Sequence, residues 1–247
     1  MVFDKLTKLI LSPIYYILHH NYVFGFIHKF FFKNFYYKQL KFELNIKDIP
    51  IQNRSSFLFK TYEYNDRKLI EKHITKKNKS IIIGGGIGFI PVLTYKKSLN
   101  KILVFEINNT IINNLKINLI KNNTIFKIYN KNLNLNENKK KKIFYLSSDF
   151  LNTSSRTPTY NKILIENINK NKIKDIMKFN TLILDVEGDE EYYILNIDKL
   201  KNIKYLFFEL HYNILSTIKI NRIMKYLKKN NFELQDKCFN SFYFKKN

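Results

Sequence analysis

The chain has little of what punctuates or cross-links a protein: one cysteine, four prolines, six glycines and neither alanine nor tryptophan in 247 residues. A lone Cys238 forms no internal disulfide and supplies no multi-thiolate zinc or iron–sulfur site, which fits a reducing compartment or indifference to redox state. Acidic residues are also scarce, 20 against 43 Lys and Arg, for a formal net charge of +23. Such an excess ordinarily points to a polyanion, because Lys and Arg neutralise phosphates and release counterions. Here, however, the chain is crowded with Lys, Asn, Ile, Phe and Tyr, the residues that AT-rich codons specify. The charge thus has a compositional source, and nucleic acid is disfavoured as partner. What is present, 45% hydrophobic and 26% charged residues over this length, excludes general disorder and suits one large domain with a sizeable core.

Long apolar runs are lacking as well. From Leu9 to His28 no Asp, Glu, Lys or Arg occurs, about the length of a membrane span. Pro13, His19, His20, Asn21 and Gly25 nevertheless interrupt it, and unpaired polar groups are costly in hydrocarbon. No small-residue cleavage site follows, so neither a spanning helix nor a secretory signal is expected. Phe24, Phe26, Ile27, Phe30, Phe31, Phe32, Tyr36 and Tyr37 are interleaved with lysines. They either pack onto the domain that follows or lie at an anionic membrane surface; packing is preferred, with peripheral membrane contact through residues 1–40 second.

Beyond Lys60 the pattern alternates. A helix is predicted over Asp66–Ile74, strands over Ser80–Ile83 and Lys101–Phe105, and a helix over Asn108–Lys121 with Ile111, Ile112, Leu115 and Leu119 on one face. Strands follow at Lys127–Tyr129, Ile143–Leu146, Thr181–Val186 and Tyr205–Leu210, then a helix over Ile218–Lys229 and a closing hairpin of Phe232–Leu234 with Phe242–Phe244. The Asn- and Lys-rich tract Asn132–Lys142 has nothing obvious to bury and reads as a mobile loop. Strands alternating with helices imply a mostly parallel sheet covered on both faces, an α/β fold. Residues 1–50 read as a hydrophobic and basic extension, and 51–247 as the domain.

In such a sheet ligands bind beyond the carboxyl ends of the strands, where strand order reverses. The first strand runs into Gly84-Gly85-Gly86-Ile87-Gly88, a tight turn that lets backbone approach a ligand and aims helix amides at an anionic group. The dinucleotide pattern needs a further glycine where Phe89 or Pro91 stands, so the spacing favours S-adenosylmethionine over NAD. Glu106, ending the next strand, is placed to accept ribose hydroxyls. Asp185-Val186-Glu187-Gly188 closes another strand, where paired carboxylates can position a hydroxyl, accept its proton or hold a hard cation. Asp189, Glu190 and Glu191 are accounted for by the acidic preference of a helix N-terminus. In Glu209-Leu210-His211 the alternation of a strand puts the carboxylate and imidazole on one face, so Glu209 can orient His211 as a base.

Together these segments resemble the FkbM family of S-adenosylmethionine-dependent methyltransferases. The likeness runs from Tyr62-Glu63 through the glycine run, Phe105-Glu106 with Asn118 and Asn123, Leu184-Asp185-Val186-Glu187-Gly188-Asp189-Glu190 and Phe208-Glu209-Leu210-His211 to Asn231-Phe232-Glu233-Leu234. It implies a Rossmann-like class I methyltransferase sheet, mostly parallel with an antiparallel C-terminal hairpin. It also implies O-methyl transfer to a hydroxyl of a sugar in a glycan or glycolipid, or of a similar small-molecule acceptor. Expected cofactor contacts are Gly84, Gly85, Gly86, Gly88 and Glu106; Asp185, Glu187, Glu209 and His211 are the expected catalytic group, with a divalent metal left open. The expected setting is cytoplasmic, with membrane association through the N-terminal extension. Where the family carries an acidic residue two positions before the first glycine, this chain has Ile82, which leaves a non-catalytic cofactor-binding module as a second reading. A nucleic-acid methyltransferase is the third, but the Asn/Asp-Pro-Pro-aromatic segment of amino-methylating enzymes is replaced by Asp185-Val186-Glu187-Gly188.

Overall fold

Short runs dense in Ile, Leu, Val and Phe, without polar alternation, suit strands buried on both faces, and the chain builds its central sheet from them. The computed structural model describes residues 21–44, 49, 51–136, 140–146, 153–154 and 161–247. Two compact units result, residues 1–62 and 63–247.

The first unit contains α1 (Asn21–Phe31), the antiparallel pair β1 (Asn34–Tyr37) and β2 (Leu40–Glu43), and α2 (Ile51–Leu58). Within this unit α2 packs on α1. Gly25 permits that approach: a Cβ there would stand 1.7 Å from the carbonyl oxygen of Ile51. Phe35, Phe42 and Phe57 are buried together, with ring centroids 5.5 to 5.8 Å apart. Phe26, Phe30, Phe31, Phe32 and Tyr36 stay exposed. The first part of the Leu9–His28 run, residues 9–20, lies outside the described residues. Among the described residues no helix is long and apolar enough to cross a membrane.

The second unit opens with α3 (Tyr64–His73), then β3 (Ser80–Ile83), α4 (Phe89–Ser98), β4 (Ile102–Phe105), α5 (Ile112–Lys121) and β5 (Phe126–Tyr129). An insertion of β6 (Asn132–Asn134), β7 (Lys141–Leu146), β8 (Thr153–Ser154) and β9 (Asn161–Asn169) follows. The chain resumes with β10 (Thr181–Leu184), α6 (Glu190–Ile194), β11 (Tyr205–Glu209), α7 (Thr217–Lys229), β12 (Phe232–Cys238) and β13 (Ser241–Lys246). The seven-stranded sheet has the order β12-β13-β11-β10-β3-β4-β5. All its pairs from β11 to β5 are parallel, and β13 runs antiparallel to both β11 and β12. The chain starts at the middle, winds out to β5, and returns to β10 on the other side, so strand order reverses between β3 and β10. One face buries Ile81, Ile83, Leu103, Phe105, Leu182, Leu184, Leu206 and Phe208 against residues such as Tyr193, Ile194, Ile223 and Leu227.

The insertion corrects the sequence reading of Asn132–Lys142 as a loop. Asn132–Asn134 is a buried strand in a second sheet of order β6-β9-β7-β8, and β9 had not been anticipated. Leu133 and Leu135 fill the core. The buried amides between them are paired: Asn132 donates to Asn167 and accepts from the Tyr193 hydroxyl (2.8 Å), and Asn134 accepts from the Tyr192 hydroxyl (2.8 Å). Asparagine is tolerated inside when each amide finds such a partner. Residues 137–139 of the tract lie outside the described residues.

Candidate functional site

The glycine run occupies the reversal point. Gly84, Gly86 and Gly88 adopt φ of 89°, 50° and 95°, a region L side chains rarely enter. Gly84 also lies against the next strand: a Cβ there would come 1.9 Å from the carbonyl oxygen of Asp185. From behind, Asn118 on α5 donates to the carbonyl of Ile87 (2.8 Å). In front lies a cavity of about 500 Å³ including its open mouth, lined among others by Gly84, Glu106, Asn108, Asn132, Val186 and Tyr193.

Glu106 stands at this cavity, yet its carboxylate already has partners. Oε2 accepts the amides of Gly85 (2.9 Å) and Gly86 (3.0 Å), and Oε1 accepts that of Asn108 (2.8 Å). Burial raises its pKa, opposed by these backbone donors. The side chain that was expected to accept ribose hydroxyls therefore braces the glycine turn in this structure. Ile82, at the position where the resemblance implies an acidic residue, is buried in β3, 1% exposed.

Beside the turn, the ends of β10 and β11 gather the acidic residues around one imidazole. His211 Nε2 is 3.3 Å from Glu187 Oε2 and 3.7 Å from Asp185 Oδ1. Its Nδ1–H donates to Glu190 Oε1 at 2.5 Å, and the same oxygen accepts the Gly188 amide at 3.1 Å. Glu190 is 0% exposed. Burial alone would make the imidazolium less favourable, but hydrogen bonds to Glu187 and Glu190 and the charge of Asp185 lift the His211 pKa to about 11. Burial and the neighbouring Glu209 charge push Asp185 well above the usual carboxylate range, while His211 pulls it down. Asp66, on α3, is raised for the same reasons, by burial and by the charges of Glu209 and Glu63.

No family model and no curated protein matches the chain. Among solved structures it is similar to P. horikoshii TYW2 in complex with MeSAdo, at 8% identity and a TM-score of 0.50 over 95% of this chain and 82% of that one. It is also similar to ribosomal protein L11 methylase from Lactobacillus delbrueckii subsp. bulgaricus (12% identity, TM-score 0.46, 74% and 77% covered). A third is precorrin-6y C5,15-methyltransferase from Geobacter metallireducens GS-15 (11%, 0.44, 82% and 91%). The shared architecture is a Rossmann-like α/β fold.

Within that fold, Gly84, Gly85, Gly86, Gly88 and Glu106 meet at one turn, and Asp185, Glu187, Glu209 and His211 meet at the strand ends beside it. One expected pairing is corrected. Glu209 does not orient His211: it accepts from Asn240, whereas Glu190 takes the imidazole Nδ1–H. The chain leaves β11 at Glu209, so strand alternation no longer governs His211. The sequence reading places Glu190 at a helix N-terminus and Asp66 at the start of a helix, with neither in the site. A carboxylate in a run of five acidic residues gives no sign of which one turns inward; burial decides it.

Proposed function

We propose that the protein is an S-adenosylmethionine-dependent O-methyltransferase of the FkbM type, acting on a hydroxyl of a sugar or similar small acceptor. The observation that carries this is the abutment of the two motifs: Gly84 of the glycine turn lies on the backbone of Asp185, which puts the cavity beside the carboxylate and imidazole cluster. The residues fit the cofactor. Glycine suits the turn at Gly84 and Gly88, and Asn108, Asn132 and Glu106 line the cavity in front of it. The MeSAdo-bound neighbour of the same fold agrees with this choice. When bound, the sulfonium supplies an activated methyl. The chain's own task is then to hold an acceptor hydroxyl beside the cluster and receive its proton, for which Asp185 and Glu187 offer carboxylate oxygens. An anionic cluster of this kind repels phosphates, which favours an uncharged hydroxylic acceptor over nucleic acid despite the net charge of +23.

A second reading has its own observation. Buried Ile82 stands where the resemblance leads one to expect an acidic residue for the amino-acid end of the cofactor, which favours a binding module without turnover. Calorimetry with S-adenosylhomocysteine and NAD, followed by methyl transfer from labelled S-adenosylmethionine to a panel of hydroxylated sugars, tests both. Binding of S-adenosylhomocysteine with transfer to a sugar supports the enzyme, and binding with no transfer to any acceptor supports the module. Tighter binding of NAD overturns both.

A further inference from the structure

We propose that Asp185, Glu209 and His211 form a binding site for a first-row divalent cation such as Mn²⁺, with Glu190 as the positioning residue that orients the imidazole. The inference deepens the methyltransferase reading and rests on it for its role in turnover, although not for the binding itself.

The distances suit one ion. A ligand atom from each of the three side chains lies within 4.8 Å of the other two. Ligands on opposite sides of a divalent cation, at about 2.1 to 2.4 Å each, stand roughly 4.2 to 4.8 Å apart, so at most small side-chain rotations are needed. The donors come from the ends of two paired parallel strands, β10 and β11, which fix their backbone spacing. Two carboxylate oxygens and one imidazole nitrogen suit a first-row divalent cation better than Ca²⁺, which takes oxygen alone, and the carboxylate majority suits Mn²⁺.

A second observation points the same way. Asp185 Oδ1 is sealed from solvent, has no hydrogen-bond donor, and faces His211 Nε2 at 3.7 Å, too far for a hydrogen bond. A buried oxygen left unpaired is costly unless something absent supplies its partner. On the far side of the ring, fully buried Glu190 takes the Nδ1–H, so that Nε2 faces Asp185 Oδ1 and Glu187 Oε2, and an ion there would take the place of the Nε2 contact with Glu187. A carboxylate holding the second nitrogen of a ligating histidine in this way fixes its tautomer and ring orientation. Three protein ligands leave coordination positions open. An acceptor hydroxyl bound there would be acidified, as metal-bound water is.

The test is Mn²⁺ alone, added to the full chain without cofactor and followed by electron paramagnetic resonance and by melting temperature. We expect one Mn²⁺ per chain and a rise in melting temperature. Binding should weaken at least tenfold in Asp185→Asn and in His211→Gln, and about 10- to 100-fold in Glu190→Gln. Wild type that takes up no Mn²⁺ at millimolar concentration overturns the site. So does binding that survives unchanged in both Asp185→Asn and His211→Gln. If a variant fails to fold, the Mn²⁺-dependent rise in the wild-type melting temperature still decides. S-adenosylhomocysteine affinity, measured on the same preparations, separates the two readings. Mn²⁺ bound without S-adenosylhomocysteine leaves the metal site standing and removes the methyltransferase; the converse removes the metal alone.

Discussion

Replacing Glu106 by alanine should loosen the glycine turn before it affects any ligand. The side chain is 6% exposed and accepts three backbone amides, from Gly85, Gly86 and Asn108, at 2.8 to 3.0 Å. A hydrogen bond to a charged acceptor contributes about 1.5 to 3 kcal/mol, and a buried donor left unpaired costs about 1 to 3 kcal/mol. Water from the adjoining cavity will satisfy some of the freed amides, so we take about 1 kcal/mol for each of the three, or about 3 kcal/mol together. For a domain of this size that corresponds to a fall in melting temperature of roughly 6 to 12 °C. Glu106→Gln keeps the shape and one acceptor oxygen and should fall between the two. Thermal unfolding followed by circular dichroism, with S-adenosylhomocysteine calorimetry alongside, provides the measurement. The bracing role predicts that affinity follows stability through the series. An alanine variant melting within about 1 °C of wild type, with affinity nonetheless lost, would refute the brace and restore direct ribose recognition as the main role.

Two further outcomes follow from buried polar groups. Tyr193→Phe removes the hydroxyl that ties α6 to Asn132 of the inserted sheet and should cost about 1 to 2 kcal/mol, read as a shifted denaturant midpoint with an unchanged slope. In the first unit His28 is 2% exposed, and burial, aided by the charge of Arg54, lowers its pKa to about 4 from 6.5. Since the folded pKa lies below the unfolded one, stability is full above pH 6.5 and is lost as pH falls toward 4, by up to about 3 kcal/mol. Hydrogen exchange of α1 and α2 should lose protection across that window in wild type but not in His28→Leu; equal loss in both would show that another group is responsible.

Sequence alone determined the elements whose interactions are local or periodic. Ser80–Ile83 and Thr181–Leu184 are apolar runs too short and too β-branched for helices, and they are strands in the central sheet. Gly84 to Gly88 cluster in a chain that hardly uses glycine, and the φ of 89° and 95° at Gly84 and Gly88 is one that L side chains rarely adopt. The alternation of elements likewise implied the parallel sheet, and with it the ends of the strands as the place to look. Tertiary structure alone decided partners. Asn132–Asn134 looked like a solvated tract because asparagine is polar; it is buried because two tyrosine hydroxyls and another asparagine, distant in the chain, satisfy its amides. Glu106 was legible as a carboxylate at a strand end, but not as one already held by the turn it faces. Among Glu187, Asp189, Glu190 and Glu191, residue type was uninformative. Glu190 serves His211 because α6 turns it inward to 0% exposure, and that direction depends on the packing of a helix against strands, which no local pattern of charges encodes.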